Sequence, residues 1–289
     1  MRPLGEYKAH DWRRLRPVSH WVKTQRYRMQ RESYVRRPAR IPLTDTSSMQ
    51  GRRLIATIAF EDPEAISIQA RLLARFVPDV VYIVADMSMN QTSADEIRSV
   101  AETLNAPYVR LPRSPLLRRE HASRIHGLAL NWTWRNVIKP IEPEAFGFID
   151  HDIYPTKPDD PFSKLQLQPI YGCLRHVGER WFLWAGFAMF RFAFVKDLPL
   201  DFGQDWFNGL DTGGANWNVL FRNLDRTRLH FTDTRFEPFM PGVDSDAGQV
   251  QWCDTWLHEV GLARREGFAD VAAEKRNMIK KLLAPHLLP

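Results

Sequence analysis

Cysteine is scarce: two residues in 289, Cys173 and Cys253, leave no disulfide framework to stabilise the chain, and a reducing compartment is expected. No apolar run is long enough to span a bilayer. The best window, Trp181 to Val195, is broken by Arg191 and falls short of the ~18 apolar residues required. The N-terminus carries charges and prolines in place of the apolar segment of a secretory signal, so a cytoplasmic location is expected. Internal repeats and low-complexity tracts are also missing, which excludes solenoid and linker-like architectures. No glycine-rich phosphate loop follows the first apolar run, where Phe60-Glu61-Asp62-Pro63 stands instead, and this disfavours a nucleotidyltransferase. What remains is a globular composition on a chain long enough for two domains or one large one.

Net positive charge is lacking from most of the chain. Residues 1–50 hold 12 Lys and Arg against four acids, whereas residues 51–289 hold 28 basic and 30 acidic groups. The formal charge of +6 therefore belongs to a basic N-terminal arm ahead of a near-neutral body. Such an arm suits an anionic membrane surface or nucleic acid, or is a solvated extension laid on the body. Trp12, Trp21, Tyr27 and Tyr34 interleave with its arginines and favour docking. Pro38, Pro42 and the polar stretch 44–50 read as the linker into the body.

From Arg52 the pattern is regular. Leu54–Phe60 is a buried strand, and Asp62-Pro63-Glu64 is a helix start followed by apolar residues at helical spacing up to Phe76. A second strand over 80–84, a helix over 93–104, a third strand over 107–111, a long helix over 121–138 and a fourth strand over 146–149 complete an alternating series. That alternation predicts an α/β fold with a mainly parallel sheet flanked by helices. Ligands then bind at the carboxyl ends of the strands, and each of the segments 60–62, 85–88 and 150–152 contains a carboxylate there. Beyond Pro155 we expect strands over 169–174 and 181–194, a helix through Trp217, Leu220 and Phe221 capped by Asp211 or Thr212, and a terminal amphipathic helix over 272–283.

Asp150-His151-Asp152 follows the fourth strand. Two carboxylates one residue apart suit Mg²⁺ or Mn²⁺, which pair such ligands with substrate phosphates, although a turn in which the aspartates cap backbone amides would need the same residues.

At this point the chain resembles the GT-A glycosyltransferases related to the family 2 enzymes, which use nucleotide sugars. The residues carrying the resemblance are Asp86, the segment His126–Asn131, Phe148-Ile149-Asp150-His151-Asp152 and Trp184-Ala185-Gly186-Phe187, over approximately residues 52–260. Behind the basic, extended N-terminal arm (1–50) that the charge count marks, the resemblance implies a GT-A catalytic domain (51–289), divided into a nucleotide-binding half (51–155) and an acceptor-binding half with a C-terminal helix (156–289). It implies a nucleoside-diphosphate sugar as donor, a saccharide or lipid-linked saccharide as acceptor, and Mn²⁺ or Mg²⁺ as cofactor. Asp86 would contact the base, with Phe60 and Glu61 beside it at the end of the first strand. Asp150 would contact ribose and, with Asp152, the metal-bound diphosphate, which Arg124 and His126 would also face. His258 would complete the metal site, with His230 as the alternative. Asp211, or Asp205 behind it, would serve as the base, and Trp184, Gly186 and Trp206 would meet the acceptor. The segment at 211–214 departs from the Glu-Asp pair common in that family. Competing readings are a nucleic-acid- or anionic-surface-binding protein using the arm, and a metal-dependent phosphohydrolase. The first lacks base-reading motifs, and the second places its aspartate pair on a first strand.

Overall fold

The structure, a computed structural model, describes residues 4–116, 122–240, 242–243, 246–260 and 269–287. Helices α1 (Ala9–Arg13) and α2 (Arg16–Val35) lead into a six-stranded sheet. Strands β1 (Arg53–Ala59), β2 (Val80–Asp86), β3 (Tyr108–Arg110) and β4 (Ala145–Asp150) run parallel, in the spatial order β3-β2-β1-β4. Their cores are almost uniformly apolar and buried, as strands covered on both faces require. The helices α3 (Pro63–Phe76), α4 (Gln91–Thr103) and α5 (Ala122–Thr133) connect them. Asp62 caps α3 by accepting from the Ala65 amide at 2.9 Å, and Asn90 caps α4 through Thr92 at 2.8 Å. The expected long helix proves to be α-helical up to Thr133. It then widens into a π-helical stretch, Trp134–Ile138, and ends in the short α6 (Lys139–Ile141); its expected first residue, His121, lies outside the described residues.

Register is what makes the site. Ala59 on β1 lies opposite Asp86, and Ile58 opposite Asp150, so both acids stand at the same carboxyl edge. After Asp150 the chain turns through His151 and Asp152 and enters a second sheet at β5 (Ile153–Pro155). The large sheet is completed by β6 (Ile170–Val177) and β7 (Arg180–Arg191), the latter antiparallel to β4. β7 was expected to run on to Phe194, but residues Phe192–Val195 form the short helix α7. The second sheet is antiparallel, in the order β5-β10-β9-β8, with β8 (Thr234–Pro238), β9 (Gln249–Cys253) and β10 (Trp256–His258). The terminal helix α8 (Ala269–Leu287) buries Ile279 and Leu283 in an apolar cluster with Ile68 and Leu72 of α3, Tyr154 and Leu257. The fold is therefore the mixed, mainly parallel α/β sheet flanked by helices that the sequence predicts.

Two expectations are corrected. The N-terminal arm is not extended: α2 is a helix of 20 residues, and Tyr34 and Val35 at its end are buried in the main core. The segment after Asp211-Thr212-Gly213-Gly214 is not a continuous helix but two 3₁₀ turns, Gly214–Trp217 and Phe221–Asn223. Gly213 takes φ +92°, its carbonyl-flanked Cα lying so close to β7 that a Cβ would meet the Leu183 carbonyl oxygen at 2.4 Å. Tight packing of the backbone against the strand replaces helical hydrogen bonding, and neither Asp211 nor Thr212 acts as a helix cap.

Candidate metal centre

Asp150, Asp152 and His258 converge where the two sheets meet, each offering a ligand atom within 4.8 Å of the others. The pairing of β5 with β10 brings His258 there, opposite Ile153, and the Glu259 amide donates to the Asp152 carbonyl at 2.9 Å. His258 Nε2 lies 3.4 Å from Asp152 Oδ1; both side chains are buried, while Asp150 is partly open to the cleft. His126 on α5 approaches the same cluster, its Nε2 3.6 Å from Asp150 Oδ1.

Two glutamines that sequence reasoning did not single out hold this geometry. Gln69, fully buried on α3, donates through Nε2 to the carbonyls of Asp150 at 2.8 Å and Ile153 at 2.7 Å, and its Oε1 accepts from Tyr82 at 2.6 Å. The turn bearing both aspartates is thus held on either side of Asp152. Gln251 on β9 stands 3.0 Å from His258 Nδ1 through its Oε1, which also accepts from Arg175 at 3.2 Å. Since arginine can only donate, that atom is the amide oxygen, and His258 must carry its proton on Nδ1. Nε2, the nitrogen that faces Asp152, is then the one left to bind a metal once it has lost its proton. Neither glutamine had a legible signal, because Gln69 stands among the other polar residues of α3, Gln251 follows Gln249 on β9, and neither pattern identifies a partner.

Asp152 and His258 stabilise each other's charged forms. Burial alone would raise the Asp152 carboxyl, but His258 beside it holds it well below the usual carboxylate range. Burial pushes His258 down, and the Asp152 charge outweighs this and raises it. Two carboxylates and an imidazole form a donor set of the type used by Mn²⁺ and Zn²⁺ as well as Mg²⁺, and it fits a divalent ion. Glu259, next to His258, is pushed up by burial to about 7 even though Arg276 holds it. Arg276 also reaches Asp62 at 2.9 Å, tying α8 to the N-terminus of α3.

The remaining candidates divide into those near the cleft and those committed elsewhere. Trp184 packs its ring 5.0 Å from the His258 ring, with the Arg175 guanidinium 5.5 Å from it. Gly186 makes room for that ring, since a Cβ there would sit 2.2 Å from it. Glu61, at φ +53°, accepts from the amides of Met89 and Asn90 at 3.1 Å and so ties the ends of β1 and β2 together; Phe60 precedes it, partly buried. Asp86 is wholly buried, accepting from Ser88 N and Tyr108 Oη at 2.7 Å each, so its oxygens face protein groups rather than the cleft. Asp205 is buried and accepts from Asn208 at 2.6 Å, whereas Asp211 is exposed and accepts from Gln204 at 3.0 Å. Arg124 lies over the exposed Trp206 ring at 4.2 Å. His230 is outside the cluster, its backbone paired with Gln168.

No protein-family model matches the chain, and no curated protein matches it. Among solved structures, similarity is found to a mannosyltransferase from Pyrobaculum calidifontis in complex with GDP-Man and Mn²⁺, at 14% identity and a TM-score of 0.37, covering 65% of this chain and 58% of that one. It is also found to S. aureus TarS, at 17% identity and a TM-score of 0.35, covering 52% of this chain and 30% of that one. The chain spans less than two thirds of the length of either.

Proposed function

We propose that the protein is a divalent-metal-dependent glycosyltransferase moving a sugar from a nucleoside diphosphate to a hydroxyl acceptor. The observation that carries this reading is the convergence of Asp150, Asp152 and His258 at the carboxyl edge of a parallel sheet, where such folds bind ligands. A Mn²⁺ or Mg²⁺ ion held by these three side chains would neutralise charge on the diphosphate leaving group. Asp150, open to the cleft, and His126 beside it face the donor phosphates in this reading, and the turn 60–62 lines its nucleotide side. Asp86 acts there by shaping the floor through Ser88 and Tyr108.

Asp211 is the base in this reading, because it is exposed while Asp205 is buried against Asn208. It is carried by the segment whose Thr212 carbonyl accepts from Ala185 on β7, next to Trp184. The acceptor oxygen bonds to the anomeric carbon as the bond from that carbon to the diphosphate oxygen breaks. The electron pair leaves with the nucleoside diphosphate, and the hydroxyl proton passes to Asp211.

The reading includes contact with an anionic membrane through α2. Val18, Trp21, Val22 and Met29 fall on one face of that helix, with Leu15 just before it, and each is more than half exposed. Arg26 and Arg28 flank the stripe, each about 80° from Val18 at 100° per residue. An apolar stripe bordered by cations is the pattern of a helix lying in a lipid interface. No helix among the described residues is long and apolar enough to cross a membrane.

Thermal shift with UDP, GDP, CMP and their sugars, with and without Mn²⁺, tests the transfer reading. Stabilisation by one nucleotide that requires the metal and is lost in an Asp150→Asn/Asp152→Asn variant is the expected result. Absence of metal-dependent stabilisation by every nucleotide would overturn it.

A further inference from the structure

A second concavity, of about 500 Å³, lies between α2 and the loop from Asp201 to Asn218. Its wall residue Gln204 donates to Asp211, the base of the transfer reading, at 3.0 Å. Arg124 lines it, and His126, two residues on, is the residue that approaches Asp150. Lys23 and Arg26 of α2 line it as well. Among the described residues, none of these three cations has a carboxylate within ion-pair distance.

The two acids of the cavity wall are already engaged. Asp201 pairs with Arg31 and accepts from Asn131 at 2.8 Å, and Asp205 accepts from Asn208. The charge left available in the cavity is therefore positive. Tyr27 lines it too, and its hydroxyl is buried without a hydrogen-bond partner among the described residues. That hydroxyl packs against Gly203, where a Cβ would lie 2.2 Å from it, so it is the Tyr27 ring that contributes to the cavity wall. The Trp206 ring, held by Arg124 and by the bond from its Nε1 to Gln204 at 2.7 Å, supplies an exposed aromatic surface.

We propose that this cavity is the acceptor subsite and that it takes a sugar bearing a phosphoryl group. The anion sits among Lys23, Arg26 and Arg124, and the sugar ring lies beside Trp206. Three cations from two helices exceed what a neutral saccharide needs, and guanidinium groups match phosphoryl oxygens in charge and geometry. Arg26 borders both the cavity and the apolar stripe of α2, so a phosphoryl group attached to a lipid and one on a free sugar phosphate are both within its reach. The inference rests on the transfer reading for the word acceptor, but the binding it describes stands apart from the metal.

The test is calorimetric titration of the full chain, without metal, with glucose 1-phosphate, glucose and inorganic phosphate. The same titration is made against phosphatidylcholine vesicles with and without polyprenyl-phosphate-linked glucose. We expect glucose 1-phosphate to bind at least about tenfold more tightly than glucose, and Arg124→Gln and Lys23→Gln each to weaken it by about tenfold. Binding should persist in the Asp150→Asn/Asp152→Asn variant, which separates this cavity from the donor site. Tighter binding to the glucose-bearing vesicles identifies the lipid-linked source, and equal binding identifies the free one. Equal affinity for glucose, or unchanged affinity in both the Arg124 and the exposed Lys23 variants, would overturn the proposal. Failure of sugar-phosphate binding with Mn²⁺-dependent nucleotide binding intact refutes the cavity alone. The converse result refutes the transfer reading alone.

Discussion

His258 Nδ1 and Gln251 Oε1 lie 3.0 Å apart, and this bond decides which imidazole nitrogen is free. Replacing Gln251 with Leu removes the acceptor while leaving the ring in place. Outer partners of metal-bound histidines typically contribute 10- to 100-fold in affinity, so Mn²⁺ binding measured by calorimetry should weaken by about that factor. Gln251→Glu keeps an acceptor oxygen and should retain most of the affinity. Equal Mn²⁺ affinity in the wild type and the Leu variant would show that Gln251 does not orient the ring.

Gln69 supports the aspartate turn from the other side. In Gln69→Leu the carbonyls of Asp150 and Ile153 lose their side-chain donor and Tyr82 loses its acceptor. We expect a loss of about 2 kcal/mol in urea unfolding, with weaker Mn²⁺ binding because the two carboxylates lose their spacing. Tyr82→Phe, which frees only Gln69 Oε1, should cost less and leave metal affinity near the wild-type value.

The outward face of α2 gives a membrane-binding prediction. The full chain should sediment with phosphatidylserine-containing vesicles, and Val18→Ser/Val22→Ser should not. Arg28→Gln should weaken binding by about fivefold, from a contribution of about 1 kcal/mol per cation near an anionic surface, and added salt should have the same effect. Undiminished sedimentation of the Val18/Val22 variant would remove α2 from the interface.

Arg276 links α8 to the N-terminus of α3, and its effect depends on pH. Burial by itself raises the Asp62 carboxyl, but the hydrogen bonds from Arg276 outweigh it and leave the group lowered. A folded-state value below the unfolded one, about 3.9, means that the contribution is present above that pH and is lost as pH falls through the folded value. Arg276→Gln should therefore destabilise by about 1–3 kcal/mol at neutral pH, the pair being only partly buried. The difference from wild type should shrink in unfolding curves taken below about pH 4.

The series of strands and helices from Arg53 to Asp150 was legible because β-branched and aromatic runs alternate there with capped, 3.6-periodic segments. The aspartates could be read as a pair for the same reason, since they follow the fourth such run. The helical character of α2 was hidden: its buried contacts are spread over Pro17, Tyr34 and Val35, while its apolar stripe faces away from the body and reads as noise among arginines. The turns after Gly213 were misread because Trp217, Leu220 and Phe221 have helical spacing, yet backbone contact with β7 decides the local conformation. Gln69 and Gln251 act through atoms of distant strands, and no local pattern marks such a residue.

Asp150 ends the large sheet and Asp152 leads into the small one, with only His151 between them. A cation shared by both carboxylates and by His258 of the small sheet would join two separately hydrogen-bonded bodies at their seam. Occupancy of the ion and alignment of the seam would then be one equilibrium viewed from two ends. Whatever loosens β5 from β10 would release the ion, and chelation would remove the ion's share of the seam and leave the apolar contact of Trp256 with Phe187 to hold it.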